Sequence, residues 1–238
     1  MPKNKKIKKT KKEKFVPQAL RGMKDILPEE QKYWNFVLEK LEKISKIYGF
    51  EKIDLPILEE TDLFVRSIGE PTDIVEKEMF TFFDKSGRQI SLRPEMTAGI
   101  ARAYIEHGMS NLPQPLKFYS IGPVFRYEKP QLGRQREFHQ FDLEVLGSAN
   151  SIVDSQILIL ANNFFKELKL KVEIQINSLG CPECRKEYQK KLLEVTRYKK
   201  RMLCPDCQKR LTKNPLRIFD CKEKKCQEFF YTLPSLID

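Results

Sequence analysis

Between Val124 and Gly147 apolar and polar residues alternate with a period of two on both sides of a short polar loop, a pattern that predicts a β-hairpin. VFRYE and REFHQFDLEV are its strands, and the basic stretch KPQLGRQ joins them. Alternate side chains of a strand share a face. Arg126 and Glu128 are therefore expected on one side of the first strand. On the second, Phe138, Gln140, Asp142 and Glu144 share one face, while His139, Phe141, Leu143 and Val145 take the other. The apolar face is the ordinary inside of a sheet, and His139 on it reads as a structural core residue. The opposite face gathers a cation, carboxylates, an amide and one aromatic ring. Those groups suit a charged, planar ligand; a half-exposed sheet with a wet side is the plain alternative.

The same reading places the other elements. Tyr33, Trp34, Val37, Leu38, Leu41, Ile44 and Tyr48 recur at helical spacing, predicting a helix over 29–48 that opens on Pro28 and stops at Gly49. FEKIDLP (50–56) alternates like a strand whose proline suits an edge or an interface. Short strands are expected over 79–83 and 89–92 around the turn at 84–87, then a helix over 97–107 after Pro94. Ser151 and Asp154 suggest a capping box for a helix through Leu168. KVEIQI (171–176) reads as a further strand. Beyond Ser178 periodicity fades, lysines multiply and all six cysteines appear, so a domain boundary is expected there.

Phe125 to Glu128, the loop, and Arg136 to Phe138 resemble motif 2 of class II aminoacyl-tRNA synthetases, and REFHQFDLEVLG resembles the version found in histidyl-tRNA synthetases. RGMKDILP (21–28), IGEPTDIVEKEMFTFFDKSGR (68–88) and SLRPEMTAGIAR (91–102) extend the resemblance. The helix, strand and proline at 29–56 look like motif 1, the dimer-forming unit of the class. Such long matches are far more specific than a lone short motif. The implied fold is α/β of the α+β type: a mainly antiparallel sheet flanked by helices, with a class II catalytic core over 20–178 and a Cys-rich insertion domain from 179.

The resemblance also implies a chemistry: ATP-dependent activation of L-histidine to histidyl-adenylate and its transfer to tRNA(His). The amino acid carboxylate is already a nucleophile, so the work is positioning and charge neutralisation. By similarity Arg126 is the catalytic arginine, contacting the α-phosphate and the histidine carboxylate. Glu128 accepts from the adenine amino group and Phe138 stacks on the purine. Glu95, Thr97, Gln140 and Glu144 line the pocket for the substrate's ammonium group. Lys129, Gln131 and Arg134 lie in the loop that approaches the tRNA acceptor stem, with Arg136 near phosphate or the tRNA end. For Glu95 the bland reading is a carboxylate favoured by a helix N-terminus. Mg2+ accompanies ATP, and the implied assembly is a homodimer.

Composition refines this picture in three places. Of the formal net charge of +11, Met1–Lys14 carries eight lysines and one glutamate; a block of that kind reads as a disordered, solvated tail, extending to about residue 19, or as an electrostatic arm for RNA. No apolar run is long enough to span a membrane, so a cytoplasmic protein without membrane partners is expected. Cys181-Pro-Glu-Cys184 and Cys204-Pro-Asp-Cys207 stand nineteen residues apart, a zinc-ribbon spacing. Structural zinc on those four cysteines and reduced, metal-free thiols are both open, the second because metal is not general in the similar synthetases. The chain stops before motif 3 and an anticodon-binding domain, so it reads as a truncated, N-terminal part, with the activity of the isolated piece in doubt. The competing reading is a histidine-binding regulatory paralogue of ATP phosphoribosyltransferase. A zinc-ribbon RNA-binding module would explain the termini but not the middle.

Overall fold

The structure, a computed structural model, describes residues 16–68, 72, 74–176 and 180–233. The Lys-rich stretch 1–14 and the boundary expected at Ser178 lie outside the described residues. Two compact units divide between Val172 and Glu173. No helix among the described residues is long and apolar enough to cross a membrane.

The first unit is built on two three-stranded sheets. Helix α1 (Pro28–Ile47) leads to β1 (Glu51–Lys52), then β2 (Leu58–Glu60), α2 (Thr61–Ile68), a π turn at Ile74–Glu78, β3 (Thr81–Phe83), β4 (Gln89–Leu92) and α3 (Thr97–Glu106). The long hairpin follows as β5 (Leu116–Phe125) and β6 (Glu137–Leu146), and α4 (Ser151–Glu167) closes the unit. One sheet has the order β1-β5-β6, with β1 parallel and β6 antiparallel to β5; the other, β2-β4-β3, is wholly antiparallel. The expected mainly antiparallel sheet with flanking helices is what forms.

Hydrophobic alternation positions these layers. Ile44 of α1, Phe50, Tyr119 of β5 and Leu160 of α4 form a buried cluster, with Ile121, Phe141, Leu143 and Val145 packed against it. The apolar face of the hairpin thus lies under α1 and α4. On the other face α3 packs against β6, and the buried Met96 lies beside Gly122. His139 keeps its expected face and meets the Trp34 ring at 4.6 Å, but it is exposed rather than core.

Several local expectations change. The N-cap of α4 is Asn150, whose side chain accepts from the Ile152 N–H at 3.0 Å, rather than Ser151; both residue types cap well, and the chain enters the helix one position earlier. Residues 171–176 form no strand, since no described neighbour offers a ladder. The strand over 50–56 shrinks to Glu51–Lys52, although the Ile53 N–H still reaches Tyr119 O at 2.9 Å.

The second unit is helical, contrary to the fading periodicity of its sequence. Helices α5 (Pro182–Arg197), α6 (Pro205–Lys213) and α7 (Lys224–Phe230), with a 3-10 segment at Pro215–Asp220, surround a core of Tyr188, Leu192, Leu203, Cys207, Leu211, Ile218, Cys221, Cys226 and Phe230. A core built partly of cysteine escapes a pattern search tuned to aliphatic residues.

One buried cation ties the two sheets of the first unit together. Arg93, 5% exposed, directs Nη1 to Leu55 O at 2.8 Å and to Pro56 O at 3.4 Å, and Nε to Pro123 O at 2.9 Å. Its own backbone bridges Ile57 and Phe125 through two 2.9 Å bonds. Gly122 leaves room for the fork: a Cβ there would stand 2.6 Å from Arg93 Nη2. Replacing Arg93 with Leu strands these carbonyls and should cost the first unit about 3 kcal/mol. Arg93→Lys should recover little of it, because an ammonium cannot serve divergent acceptors as a planar fork does. Urea denaturation followed by far-UV circular dichroism measures both variants.

Candidate functional site

The polar face of the hairpin is a site because of its register. Gly122 pairs with Gln140, Ser120 with Asp142, Phe118 with Glu144 and Val124 with Phe138. Small or apolar residues on β5 thus stand opposite the polar series on β6. Strand β5 ends at Phe125, one residue before Arg126, whose backbone N–H still reaches Arg136 O at 2.8 Å. Arg126 then directs Nε to Pro94 O at 2.9 Å and lays its guanidinium over the Phe138 ring, 5.3 Å from the centroid. One edge of the fork is fixed by the backbone of the turn before α3, and the ring steadies its plane.

Alternation fails after Arg126. The Glu128 N–H bonds to Arg126 O at 2.7 Å, so the chain turns rather than extending the strand. Glu128 instead pairs with Arg134 at 3.0 Å across the base of the loop. Within the loop Gln131 and Arg134 exchange backbone bonds of 3.1 and 2.9 Å around Leu132 and Gly133, the glycine having φ +75°. That tight turn projects a fully exposed Leu132, and Lys129 is also exposed. Arg136 does not face the pocket; its guanidinium stacks 3.8 Å from the Tyr127 centroid and bonds Glu128 O at 3.2 Å.

Carboxylates meet behind the arginine. Glu95 Oε1 accepts from the Ala98 N–H at 3.0 Å, the helix-terminus role its position also suggested. Thr97, the first residue of α3, is exposed. Asp142 is the most perturbed group of the face. Burial, then Glu144 and Glu95, push its pKa up to about 6, against a hydrogen bond from the Met96 backbone and the charge of Arg126. Gln140 Oε1 and Asp142 Oδ2 are buried without a hydrogen-bond partner among the described residues. Two buried acceptors left open side by side are costly. They make sense as a receptor for a donor-rich cation, with Arg126 close enough for its charge to act on Asp142.

Sequence reasoning brought Arg126, Phe138, Gln140 and Glu144 to one face but passed over three residues. Parity puts Asp142 on that face, between Gln140 and Glu144, but the resemblance gives it no role. Arg93 had no sequence signal, because nothing local marks an arginine as buried. Gly22 accepts from the Arg136 and Glu137 N–H groups at 2.7 and 3.2 Å, and a Cβ on it would come within 2.9 Å of Arg136 and Pro130. The RGMKD segment therefore buttresses the hairpin.

The cysteines regroup. The spacing reading paired Cys181 and Cys184 with Cys204 and Cys207. The structure instead gathers Cys204, Cys207, Cys221 and Cys226, with all sulfurs within 4.8 Å of one another. Cys181 and Cys184 are exposed at the start of α5 and stand apart from that group. Sequence spacing could not register that a helix and a 3-10 turn fold Cys221 and Cys226 back onto α6.

Comparisons with known proteins identify the family and its fold. A family profile for histidyl-tRNA synthetase matches residues 22–183. A histidine–tRNA ligase of Caldicellulosiruptor bescii is 49% identical over 222 residues, covering 93% of this chain and 53% of the relative. The apo Staphylococcus aureus histidyl-tRNA synthetase superimposes with a TM-score of 0.69 at 37% identity, over 90% of this chain and 50% of that one. A Bacillus halodurans protein described as an ATP phosphoribosyltransferase regulatory subunit/histidyl-tRNA synthetase gives a TM-score of 0.67 at 22% identity, a likeness of fold alone. The chain spans about half the length of the curated relatives it matches. With the family profile covering most of its length and a 49% identical relative matching 93% of it, the chain belongs to the histidyl-tRNA synthetase family.

Proposed function

We propose that this chain supplies the amino acid activation site of a cytoplasmic histidine–tRNA ligase, which forms histidyl-adenylate from L-histidine and ATP and passes the histidyl group to tRNA(His). The observation that carries the reading is the pair of buried, open acceptors, Gln140 Oε1 and Asp142 Oδ2, on the hairpin face that also carries Arg126, whose charge acts on Asp142. An α-amino acid presents a matching ammonium and carboxylate. Its ammonium would sit against Gln140, Asp142 and Glu144, with Glu95 and Thr97 at the α3 end. Its carboxylate would be held by Arg126 while it attacks the α-phosphate, with pyrophosphate leaving. The same guanidinium would neutralise charge building on the phosphate oxygens, so no general base is needed. Mg2+ enters as part of the MgATP substrate, on the phosphate oxygens.

Phe138 offers the purine one ring face, Arg126 covering the other. Glu128 would accept from the adenine amino group once Arg134 releases it, and Lys129, Gln131 and Arg134 would meet the tRNA acceptor stem. Tyr33, Phe36 and Ile47 leave apolar surface exposed on α1, which supports a homodimer through the motif 1 unit. The regulatory-paralogue reading is less favoured, because the ATP-contacting set Arg126, Glu128 and Phe138 is intact.

In a synthetase carrying this chain with the half found in its relatives, Arg126→Ala should lower histidine-dependent ATP–pyrophosphate exchange about 100-fold or more. Exchange within severalfold of wild type would remove Arg126 from the phosphate. Gln140→Ala and Glu144→Ala should weaken histidine binding more than ATP binding in calorimetric titrations; equal losses would mean general damage to the fold.

Asp142 adds a pH signature. Its folded pKa of about 6 lies above the ordinary 3.8, so between those values the folded chain holds a proton the unfolded chain has released. The ligand-free first unit should therefore lose stability as pH rises from about 4 to about 6. Arg93, Arg126, Glu95 and Glu144 also act on this carboxylate, but Asp142→Asn should remove this component of the slope. Thermal melts of both proteins across that window give the comparison.

A further inference from the structure

We infer that Cys204, Cys207, Cys221 and Cys226 bind one zinc ion as four thiolates, and that this ion forms part of the core of the second unit. Each residue offers one sulfur, and all four sulfurs lie within 4.8 Å of one another. A zinc–sulfur bond of ~2.3 Å sets sulfurs about 3.8 Å apart around a tetrahedral ion. The Cys204 and Cys221 sulfurs, at 3.7 Å, already have that separation. Small adjustments of the remaining side chains close the tetrahedron.

The backbone prepares these sulfurs for negative charge. Cys204 is the N-cap of α6, and its Sγ accepts from the Cys207 N–H at 3.4 Å. The Cys204 N–H in turn donates to Cys226 Sγ at 3.3 Å. Cys226 lies in the first turn of α7, and Cys221 ends the 3-10 segment. Three elements, α6, the 3-10 segment and α7, thus converge on one point. Zinc with four thiolates carries a net charge of −2, and the second unit is rich in cations, with 15 Lys and Arg against nine Asp and Glu over residues 173–238.

The packing gives the ion a purpose. Cys207, Cys221 and Cys226 are three of the nine buried residues of the core, alongside Leu203, Leu211 and Ile218. A unit this small buries little apolar surface, and a metal crosslink is a usual remedy. Soft thiolates favour zinc over magnesium or calcium. The second Cys-Pro-x-Cys, at the start of α5, has the same capping geometry, with Cys181 Sγ accepting from the Cys184 N–H at 3.2 Å. It lacks two further sulfurs and is exposed.

Elemental analysis of the purified chain should find about one zinc per molecule. Cobalt(II) exchanged into the wild-type chain should give intense thiolate-to-metal charge transfer and the visible bands of a tetrahedral site, a readout that does not depend on any variant folding. After dialysis against a competing chelator, Cys221→Ser and Cys226→Ser should each retain about tenfold less zinc, or lower still, while the Cys181→Ser/Cys184→Ser double variant keeps it. Chelation should speed hydrogen exchange across residues 203–230 and leave β5 and β6 unchanged. The proposal fails if the chain holds no metal and all six thiols titrate freely, if Cys204 and Cys221 are found as a disulfide, if iron replaces zinc, or if zinc is lost from the Cys181/Cys184 variant and kept by the Cys221 and Cys226 variants.

Discussion

The first unit depends on a cation placed where cations rarely go. Arg93 is buried between two sheets that share no strand, and its guanidinium collects carbonyls from the Leu55–Pro56 segment and from β5. Ordinary sheet pairing does not satisfy those carbonyls, because the chain turns at Pro56 and β1 pairs with β5 only at Phe118 and Tyr119, short of Pro123. An arginine fork can. The polypeptide then runs directly from Arg93 through Pro94 and Glu95 into α3, so the residue that joins the sheets also fixes the carbonyl that holds Arg126 and the carboxylate that caps α3.

The pocket face is therefore set before any ligand arrives. A fork anchored on one edge, an aromatic ring beneath it and a row of acceptors two residues apart leave little to rearrange. The cost is visible in Gln140 Oε1 and Asp142 Oδ2, which are taken from water and given no donor among the described residues. Natural cores rarely keep such atoms without a use. Here they balance an arginine close enough to lower the carboxylate's pKa, yet not enough to offset burial and two neighbouring acids. The free face is electrostatically incomplete, and under the proposed function a zwitterionic amino acid would complete it.

Much of this was legible in the chain, and what was not has a common cause. Helix α1, the short strands β3 and β4, α3 and the long hairpin follow from apolar periodicity and from Pro28, Gly49 and Gly87. Parity put Arg126, Phe138, Gln140 and Glu144 together because a ten-residue ladder keeps alternation intact. The sequence reading went astray wherever a residue's role depends on a distant partner. Glu128 leaves the strand face because the chain turns beneath it. Residues 171–176 have β-branched alternation but no described neighbour to pair with. The two Cys-Pro-x-Cys motifs are locally alike, each a thiol-capped helix start, and only tertiary convergence of Cys221 and Cys226 distinguishes them. Arg93 and Gly22 reveal themselves only by what lies across the fold.

The long ladder between β5 and β6 also determines where this family can change length. Deleting one residue between Leu116 and Phe125 would turn Arg126 to the opposite side of the sheet relative to Gln140, since side chains reverse face at every step. Adding residues between Lys129 and Gln135 would not, because Arg126 and Arg136 are already bonded below that point. The fold thus separates a segment that must be counted residue by residue from one that can be lengthened or rewritten. The loop can drift in length and composition while the face that carries Arg126 and Gln140 keeps its parity.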